Sequence, residues 1–439
     1  MVYLFQSPEG ATGSILGRKP KVFGRLAPFQ PCKGGLGSRP ALDPVAPLGL
    51  GMSGDRATWG LRPRLNPVAP YGAGLRTHYT KLRREISILK ALTFEGIRDV
   101  HCATVPDPGL LAPGDVIVRV QVAGICGSDL HVFRGAETGL DDGTVLGHEF
   151  VGEVVEAGRG VERFRPGDVV VSPFTTSCGE CFYCRTGLTA RCTRGQLFGW
   201  VEQGKGLHGA QAEYVRVPLA DSTLVAVPEG APAEEALFAG DILSTAFFGA
   251  EAGGVGPGKV VAIVGCGPVG LMGVVSAREL GAERIFAIDA LPERLALAER
   301  YGATPVLLKQ TDPVEVVREA TEGRGADVVL EAAGGPQAAR LAFDLVRPGG
   351  ALSAVAVHTE ERLAFSPVEA YDKNLSFHTG RSPARHYMER LLPFIQSRKY
   401  DLGALISHRL SLDEGPRGYD IFDRRLEGCT KVVLTPSAK

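Results

Sequence analysis

The sequence predicts an α/β protein in which a β-barrel is followed by a doubly wound parallel sheet. Between about residues 88 and 240, short alternating segments are separated by Pro-Gly turns, a pattern typical of antiparallel strands. After about residue 240, continuous apolar strands alternate with helical segments, which is typical of a parallel sheet with helices on both faces. Four closely spaced cysteines in the first part indicate a metal-binding lobe.

Length and composition fit a globular enzyme of two or three domains. The chain has 439 residues, of which 44% are hydrophobic and 22% charged. The net charge of −1 is uneven, because residues 1–84 contain 13 Lys and Arg against 3 Asp and Glu. These basic residues are scattered among Gly and Pro rather than aligned on a helix, so we expect no nucleic-acid partner.

Residues 1–87 are predicted to be a poorly structured, basic extension. They are rich in Gly, Pro and Arg and show neither helical nor strand periodicity. A disordered arm, a translation start placed too early and an organelle transit peptide are the three interpretations. We favour the early start, because Ile88–Phe94 has the pattern of a domain's first strand.

The sequence argues against a membrane or secreted protein. Residues 260–277 carry no charge and reach the length of a membrane helix, but three glycines and a proline divide them into a strand, a turn and a helix. Val2–Phe5 is too short for the apolar core of a secretion signal. Nine cysteines, four of them clustered, favour metal binding in a reducing compartment, so we expect a cytoplasmic location.

Residues 88–240 are predicted to form a compact, partly open barrel. Asp115–Val122 alternates polar and apolar residues, as a half-buried strand should. Gly152–Glu156 and Asp168–Val171 continue the all-β pattern.

Residues 241–380 are predicted to form the parallel sheet, and residues 381–439 to return to the barrel. Gly281 would cap the first helix at its C-terminal end. The predicted elements, in chain order, are a strand at 259–264, a helix at 269–280, a strand at 284–289, a helix at 292–301, strands at 326–330, 351–357 and 374–380, a helix at 384–398 and a final strand at 431–435.

The cysteine cluster has the spacing C-x2-C-x2-C-x7-C. Four thiolates at this spacing can surround one Zn²⁺ and leave no open position, which predicts a structural metal. An iron–sulfur cluster and disulfides are the alternatives. The residues are Cys178, Cys181, Cys184 and Cys192.

A glycine motif, G-x-G-x-x-G, lies between the predicted strand at 259–264 and the helix that follows it. Its glycines are Gly265, Gly267 and Gly270, and Asp289 follows nineteen residues after the last. In this context the motif predicts a dinucleotide site, with the pyrophosphate at the helix N-terminus. The Asp289 carboxylate would bind the ribose hydroxyls and repel a 2′-phosphate, which favours NAD over NADP. A glycine-rich turn without a ligand is the alternative.

A second metal site is predicted around Cys126 and His148, a thiolate and an imidazole that suit Zn²⁺. Asp129 is placed to orient the imidazole, and Ser128 and His131 could conduct a proton to water. A third ligand is needed, but no cysteine is suitably placed. Asp241 could be that ligand, or it could be the N-cap of a helix.

These motifs together resemble the zinc-containing medium-chain alcohol dehydrogenase family over residues 88–437. The resemblance implies a GroES-like barrel joined to a Rossmann domain that binds the nicotinamide cofactor. It also implies two zinc ions per chain. The catalytic ion would be held by Cys126, His148 and Asp241, and the structural ion by the four clustered cysteines.

The resemblance also assigns roles to single residues. Gly127 stands where some family members have an arginine that contacts phosphate. The implied roles are metal approach during ligand exchange for Glu149, the proton relay for Ser128 and His131, nicotinamide packing for Thr245 and Val269, and a pyrophosphate contact for Lys431.

The predicted function is reversible oxidation of an alcohol or polyol to an aldehyde or ketone with NAD. A formaldehyde- or threonine-type dehydrogenase of the same family, a zinc-independent reductase of alkenes or quinones and a non-catalytic cofactor-binding sensor are the alternatives. The family forms dimers and tetramers, so we expect a homo-oligomer. The substrate is not fixed by the fold.

Overall fold

The structure is a computed structural model that describes residues 88–436. The predictions for residues 1–87 lie outside the described part. None of the helices within residues 88–436 is long and apolar enough to cross a membrane.

The first described part of the chain, residues 88–240, is built from short strands with short helices between them. Its strands are β1 Ile88–Gly96, β2 Asp99–Pro106, β3 Val116–Ile125, β4 Thr144–Val145, β5 Phe150–Ala157, β6 Val169–Ser172, β7 Trp200–Glu202, β8 Lys205–Leu207, β9 Tyr214–Val217 and β10 Val225–Ala226. Its helices are α1 Asp129–Phe133, α2 Phe182–Arg185, α3 Ala220–Thr223 and α4 Ala233–Ala236.

The second part alternates strictly between strand and helix. Its helices are α5 Ile242–Ala252, α6 Pro268–Glu279, α7 Pro292–Arg300, α8 Pro313–Glu319, α9 Pro336–Leu345 and α10 Pro367–Asp372. Its strands are β11 Val260–Val264, β12 Arg284–Asp289, β13 Thr304–Leu307, β14 Ala326–Glu331, β15 Val346–Ala354 and β16 Ser376–Thr379.

The last part contains α11 Ala384–Gln396, β17 Ile406–Ser411, α12 Gly415–Arg424 and β18 Lys431–Thr435. Strand β18 pairs antiparallel with β3, so that Val432 lies opposite Ile125. It also pairs in parallel with β17. The end of the described chain therefore completes the main barrel sheet, whose order is β10-β6-β5-β3-β18-β17 with β9 also on β3.

The six strands β11 to β16 form one parallel sheet in the order β13-β12-β11-β14-β15-β16. This order reverses direction between β11 and β14, and such a switch point opens a crevice at the carboxyl ends of the strands. The predicted fold class, a GroES-like barrel with a Rossmann sheet, is confirmed.

Helices α5, α6 and α11 share one apolar core with the sheet and with barrel strands. Fully buried side chains from all these elements fill it, and burial of such side chains contributes about 1.5–3 kcal/mol each. Members of this core include Val122, Val151, Leu243, Leu271, Val275 and Met388.

Several predicted boundaries match closely, and β15 differs most. Helix α6 ends with Leu280 as C-cap, and Gly281 follows it at φ +89°, a conformation that favours glycine. Strand β15 begins five residues before the predicted start and ends three residues before the predicted end. It ends early because the N–H groups of Val355 and Ala356 both turn toward the carbonyl oxygen of Glu331.

Candidate active site

Three elements deliver the donors of the predicted catalytic metal site. Cys126 follows β3, His148 precedes β5, and Asp241 precedes α5. The Asp241 Oδ2 atom lies 3.2 Å from Cys126 Sγ and 3.3 Å from His148 Nε2. Together with Glu149, these residues offer donor atoms that all lie within 4.8 Å of one another. The structure thus brings together Cys126 and Asp241, which are 115 positions apart.

Two glycines make this convergence possible. Gly147, just before His148, has φ +96°, and a Cβ there would overlap the Gln211 side chain. A Cβ on Gly124 would overlap the Glu149 carboxylate. A larger residue would therefore displace the segment that carries Gln211 at the first position and the Glu149 side chain at the second.

Asp129 fixes the orientation of the His148 ring. Its Oδ1 atom lies 3.2 Å from His148 Nδ1. Its Oδ2 atom accepts hydrogen bonds from the Cys126 backbone N–H at 2.9 Å and from Gln211 Nε2 at 3.2 Å. The ring therefore presents Nε2 to Asp241, as a ligand nitrogen must.

The geometry distinguishes the two interpretations of Asp241. It occupies the N-cap position of α5, yet its side chain makes no capping hydrogen bond to the helix. The Oδ2 atom instead faces Cys126 and His148, while Oδ1 accepts a hydrogen bond from the Thr245 hydroxyl on α5 at 3.4 Å. This arrangement favours the ligand interpretation over the cap.

The charges in the cluster fit a bound cation. Burial raises the pKa of the Cys126 thiol to about 11, and Asp241 adds to this effect. Burial acts to lower the pKa of His148, but the carboxylates of Asp129 and Asp241 outweigh it and hold the pKa well above its usual value. A divalent cation would replace the protons on these two groups, and a sulfur, nitrogen and oxygen donor set suits zinc.

Glu149 lies at the edge of the same cluster. Its Oε1 atom is buried and has no hydrogen-bond partner among the described residues. Burial raises the pKa of its carboxyl group against the opposing charge of Lys431. An unpartnered buried carboxylate oxygen beside three donors is consistent with an approach to a metal.

The structure corrects the assignment of Lys431 to the pyrophosphate. Its side chain is fully buried, with Nζ 2.5 Å from Glu149 Oε2 and 3.0 Å from the carbonyl oxygen of Ile125. Because β18 pairs with β3, the lysine lies behind the metal donors. Both hydrogen bonds of its Nζ atom are made there and the side chain is fully buried, so it does not reach a phosphate in this packing.

The predicted relay residues lie on or next to α1. Ser128 Oγ is 3.2 Å from His148 Nε2, so the hydroxyl adjoins the donor cluster. His131 is half-buried, and burial lowers its pKa. Among the described contacts Ser128 and His131 share only a backbone hydrogen bond, so a further group must bridge their side chains. Open space beside Gly127 adjoins this region.

The four clustered cysteines lie close enough to hold one ion. Their sulfur atoms are within 4.8 Å of one another, and Cys178 and Cys184 are 4.0 Å apart. That separation is near the roughly 3.8 Å expected across a tetrahedral zinc–thiolate site with bonds of about 2.3 Å. All eight described cysteines are free, which excludes a disulfide among them. Backbone N–H groups that point at Cys181, that of Cys184 foremost, lower its pKa to about 6.

The glycine motif forms a tight turn between β11 and α6. Gly265 has φ +88°, and a Cβ on Gly270 would overlap the Gly265 carbonyl oxygen. Gly267 is the N-cap residue of α6, so the helix begins with unpaired backbone N–H groups. Such an end attracts phosphate.

Asp289 stands at the end of β12, beside that turn. Its Oδ2 atom accepts the Cys266 N–H at 2.7 Å, and its Oδ1 atom accepts the Leu291 N–H at 2.9 Å. The two predicted nicotinamide residues, Thr245 and Val269, lie on α5 and in the first turn of α6.

Sequence reasoning missed Arg294, which lies on α7. Its Nη1 atom is 4.0 Å from Asp289 Oδ2 and 3.8 Å from the position a Cβ on Gly267 would take. Its Nε atom is buried and has no hydrogen-bond partner among the described residues. A basic residue five positions after the acidic one was the available signal.

A dinucleotide-type sheet joined to a barrel with buried cysteine, histidine and aspartate donors is the arrangement of zinc-binding dehydrogenases. Two family profiles match the chain: an alcohol dehydrogenase GroES-like domain at residues 112–229 and a zinc-binding dehydrogenase at residues 268–397.

Individual relatives agree. A medium-chain reductase/dehydrogenase, ucsI, of an Acremonium species is 47% identical over 65% of this chain and 98% of its own. Zinc-type alcohol dehydrogenase B of Aspergillus flavus is 40% identical over 76% of this chain and 79% of its own. The solved structure of the alcohol dehydrogenase TADH from a Thermus species superposes with a TM-score of 0.75 at 43% identity, covering 79% of this chain and all of that one. The chain belongs to the zinc-containing medium-chain dehydrogenase/reductase family.

Proposed function

We propose that the protein is a zinc-dependent alcohol dehydrogenase that oxidises an alcohol or polyol reversibly with NAD. The observation that carries the proposal is the convergence of Cys126, His148 and Asp241, with all donor atoms within 4.8 Å, at the junction of barrel and nucleotide-binding sheet. A zinc ion held there would act as a Lewis acid that lowers the pKa of the alcohol, and NAD would accept the hydride.

The chain's own residues would orient the metal-binding groups and carry the proton away from the substrate. Asp129 holds the His148 ring in the tautomer that leaves Nε2 free for a ligand role. Ser128, which adjoins the same nitrogen, would take up the proton released from the substrate hydroxyl while giving its own proton to the group that must bridge it to His131. His131 would be the final acceptor of the relay, and burial lowers its pKa. Thr245 and Val269 would hold the nicotinamide ring of the bound cofactor.

NAD is the proposed cofactor rather than NADP. The buried Asp289 carboxylate adjoins the glycine turn, where the ribose of a bound dinucleotide would lie. A 2′-phosphate placed there would be repelled by this carboxylate.

A second zinc ion is proposed for the four cysteines of the lobe around α2. The lobe has little apolar material, and both Phe182 and Tyr183 are exposed. A structural metal would therefore replace a core as the source of its stability. The free state of the described cysteines supports a reducing, cytoplasmic location.

A homo-oligomer is also proposed, with a second copy meeting the free edge of β16. This strand ends the parallel sheet, and α10 beside it exposes Val368 at 68% and Tyr371 at 81%. Exposed apolar side chains next to a strand edge that pairs with no other strand among residues 88–436 favour association. Light scattering should give the mass of a dimer or tetramer, and a monomer would contradict this part of the proposal.

An activity panel tests the function. NADH formation should follow addition of at least one of a set of primary alcohols, secondary alcohols, polyols, threonine and formaldehyde. Cys126→Ser should lower turnover by at least about a thousandfold while NAD binding is preserved, because the thiolate holds the metal and not the cofactor. Equal loss of binding and turnover would contradict this division of roles, and no activity with any substrate would favour the sensor.

A further inference from the structure

A buried carboxylate stands at the carboxyl end of β14, outside the metal and glycine motifs. Glu331 is fully buried and pairs in the sheet with Val264, the residue before the glycine turn. Its Oε1 atom accepts hydrogen bonds from the backbone N–H groups of Ala333 at 2.9 Å and Gly334 at 2.7 Å. The carboxylate therefore determines the path of the loop that follows β14.

That loop lies directly against the glycine turn. A Cβ on Gly265 would come within 2.6 Å of Ala333 Cβ, so turn and loop are in close contact. Gly334 in turn lies against Val357, whose carbonyl oxygen would be 3.1 Å from a Cβ at Gly334. The turn, the loop after β14 and the loop after β15 thus form one continuous packed layer.

His358 completes this layer from the loop after β15. Its Nε2 atom lies 2.7 Å from Glu331 Oε2, and its Nδ1 atom lies 3.6 Å from Glu360 Oε2. The carbonyl oxygen of Glu331 accepts the Val355 N–H at 3.0 Å, so the same residue holds the start of this loop as well. Neither partner belongs to the donor cluster.

We propose that His358 is a positioning residue for the cofactor: its ring fastens the loop after β15 to Glu331 and thereby holds the loop after β14 against the Gly265 turn. The inference rests on the proposed function, because the crevice at these strand ends is where the dinucleotide would bind. The contact between His358 and Glu331 is present without a cofactor, so it can be tested separately from the proposed function.

The fastening should depend on pH. The hydrogen bond to Glu331 raises the pKa of His358, against burial. The folded protein therefore holds the cationic form, and its charge-assisted contact, up to a higher pH than a free histidine would. The contact weakens as pH rises through the folded pKa. The titratable and charged groups around His358 are Glu331 from β14, Glu360 and Arg362 from the stretch that follows it, and His131 from α1 of the barrel.

The test compares wild type with His358→Gln, which keeps an N–H donor but cannot carry the charge. Hydrogen exchange of residues 332–335 and 355–361 in cofactor-free protein should show lost protection in the variant at about pH 6 and little difference at about pH 9. NADH fluorescence titration should show about tenfold weaker binding by the variant at the lower pH, with the two proteins converging at the higher. Glu331→Gln, which keeps the shape of the carboxylate, should reproduce the loss.

His408→Gln is the matched control, since His408 also lies near a glutamate, Glu427, at 3.4 Å, but on β17 of the barrel. It should match wild type in both measurements. Equal loop protection and equal NADH affinity in wild type and His358→Gln at both pH values would overturn the inference. A wild type that does not bind NADH would instead overturn the proposed cofactor, and loop protection in cofactor-free protein would still decide whether His358 fastens the loops.

Discussion

Lys431 and Glu149 form a buried ion pair directly behind the proposed catalytic metal. The lysine comes from the last described strand and the glutamate follows His148, a proposed metal ligand, and both side chains are almost completely buried. The pair therefore ties the end of the chain to the donor cluster through a charge contact that water does not screen.

Removing one partner should be costly. Lys431→Met leaves the Glu149 carboxylate buried without its counter-charge, so we expect the free energy of unfolding to fall by about 3–5 kcal/mol. Denaturant titration measures this. The double variant with Glu149→Gln removes the orphaned charge and should recover part of the loss, whereas purely additive losses would show that the two residues do not interact.

The substitution Asp241→Asn distinguishes the two possible roles of Asp241, as a metal ligand and as the N-cap of α5. Asparagine caps helices about as well as aspartate, so the helix itself should change in stability by less than about 1 kcal/mol. The charged oxygen donor is lost, however, and we expect the zinc content to drop from two ions per chain to one, together with activity. Elemental analysis provides the count, and retention of both ions would argue that Asp241 is not a ligand.

Asp289→Ala should relax cofactor preference. The carboxylate that opposes a 2′-phosphate is removed, and Arg294 is left without its acidic neighbour, free to pair with the phosphate. We expect kcat/KM with NADP, relative to NAD, to rise about tenfold or more. Adding Arg294→Leu should cancel the gain in NADP use, and an unchanged ratio in the single variant would remove Asp289 from cofactor discrimination.

Asp327 should stabilise the parallel sheet in a pH-dependent way. Its carboxylate accepts the Val260 N–H at 2.8 Å and Arg347 Nε at 2.7 Å. These contacts outweigh burial and lower its pKa. The stabilisation is thus present above the unfolded pKa of about 4 and is lost as pH falls through the folded value. Asp327→Asn should cost about 1–2 kcal/mol at neutral pH and nothing once both states are protonated, which unfolding titrations at several pH values can measure.

The parts of the fold that can be predicted from the sequence are those formed by residues close together in the chain. The glycine turn with the strand before it and the helix after it falls within about twenty positions, and its steric demands select residue types. The cysteine lobe is equally local. Asp241 could be predicted as a metal ligand although it is far in sequence from Cys126 and His148. The predicted site lacked a third donor, and few acidic or cysteine residues lie at the junction of the two domains.

The parts that could not be predicted depend on pairings across long separations. The predicted pyrophosphate contact of Lys431 is not found, because the lysine contacts Ile125 on β3 instead. These two residues are 306 positions apart, and nothing in the local sequence indicates that their strands pair. Glu331 and His358 meet only because parallel β14 and β15 end side by side. Strand β17 and helix α12 have no motif of their own and take their positions from β18.

The pairing of β18 with β3 has a consequence for biosynthesis. The parallel sheet occupies one uninterrupted stretch of the chain, so it can fold as soon as that stretch leaves the ribosome. The barrel sheet must wait, because β18, which lies between β3 and β17, is the last strand to be made among the described residues. A nascent chain stalled before Lys431 would thus present a finished nucleotide-binding half beside an open barrel that lacks the counter-charge beneath its metal donors.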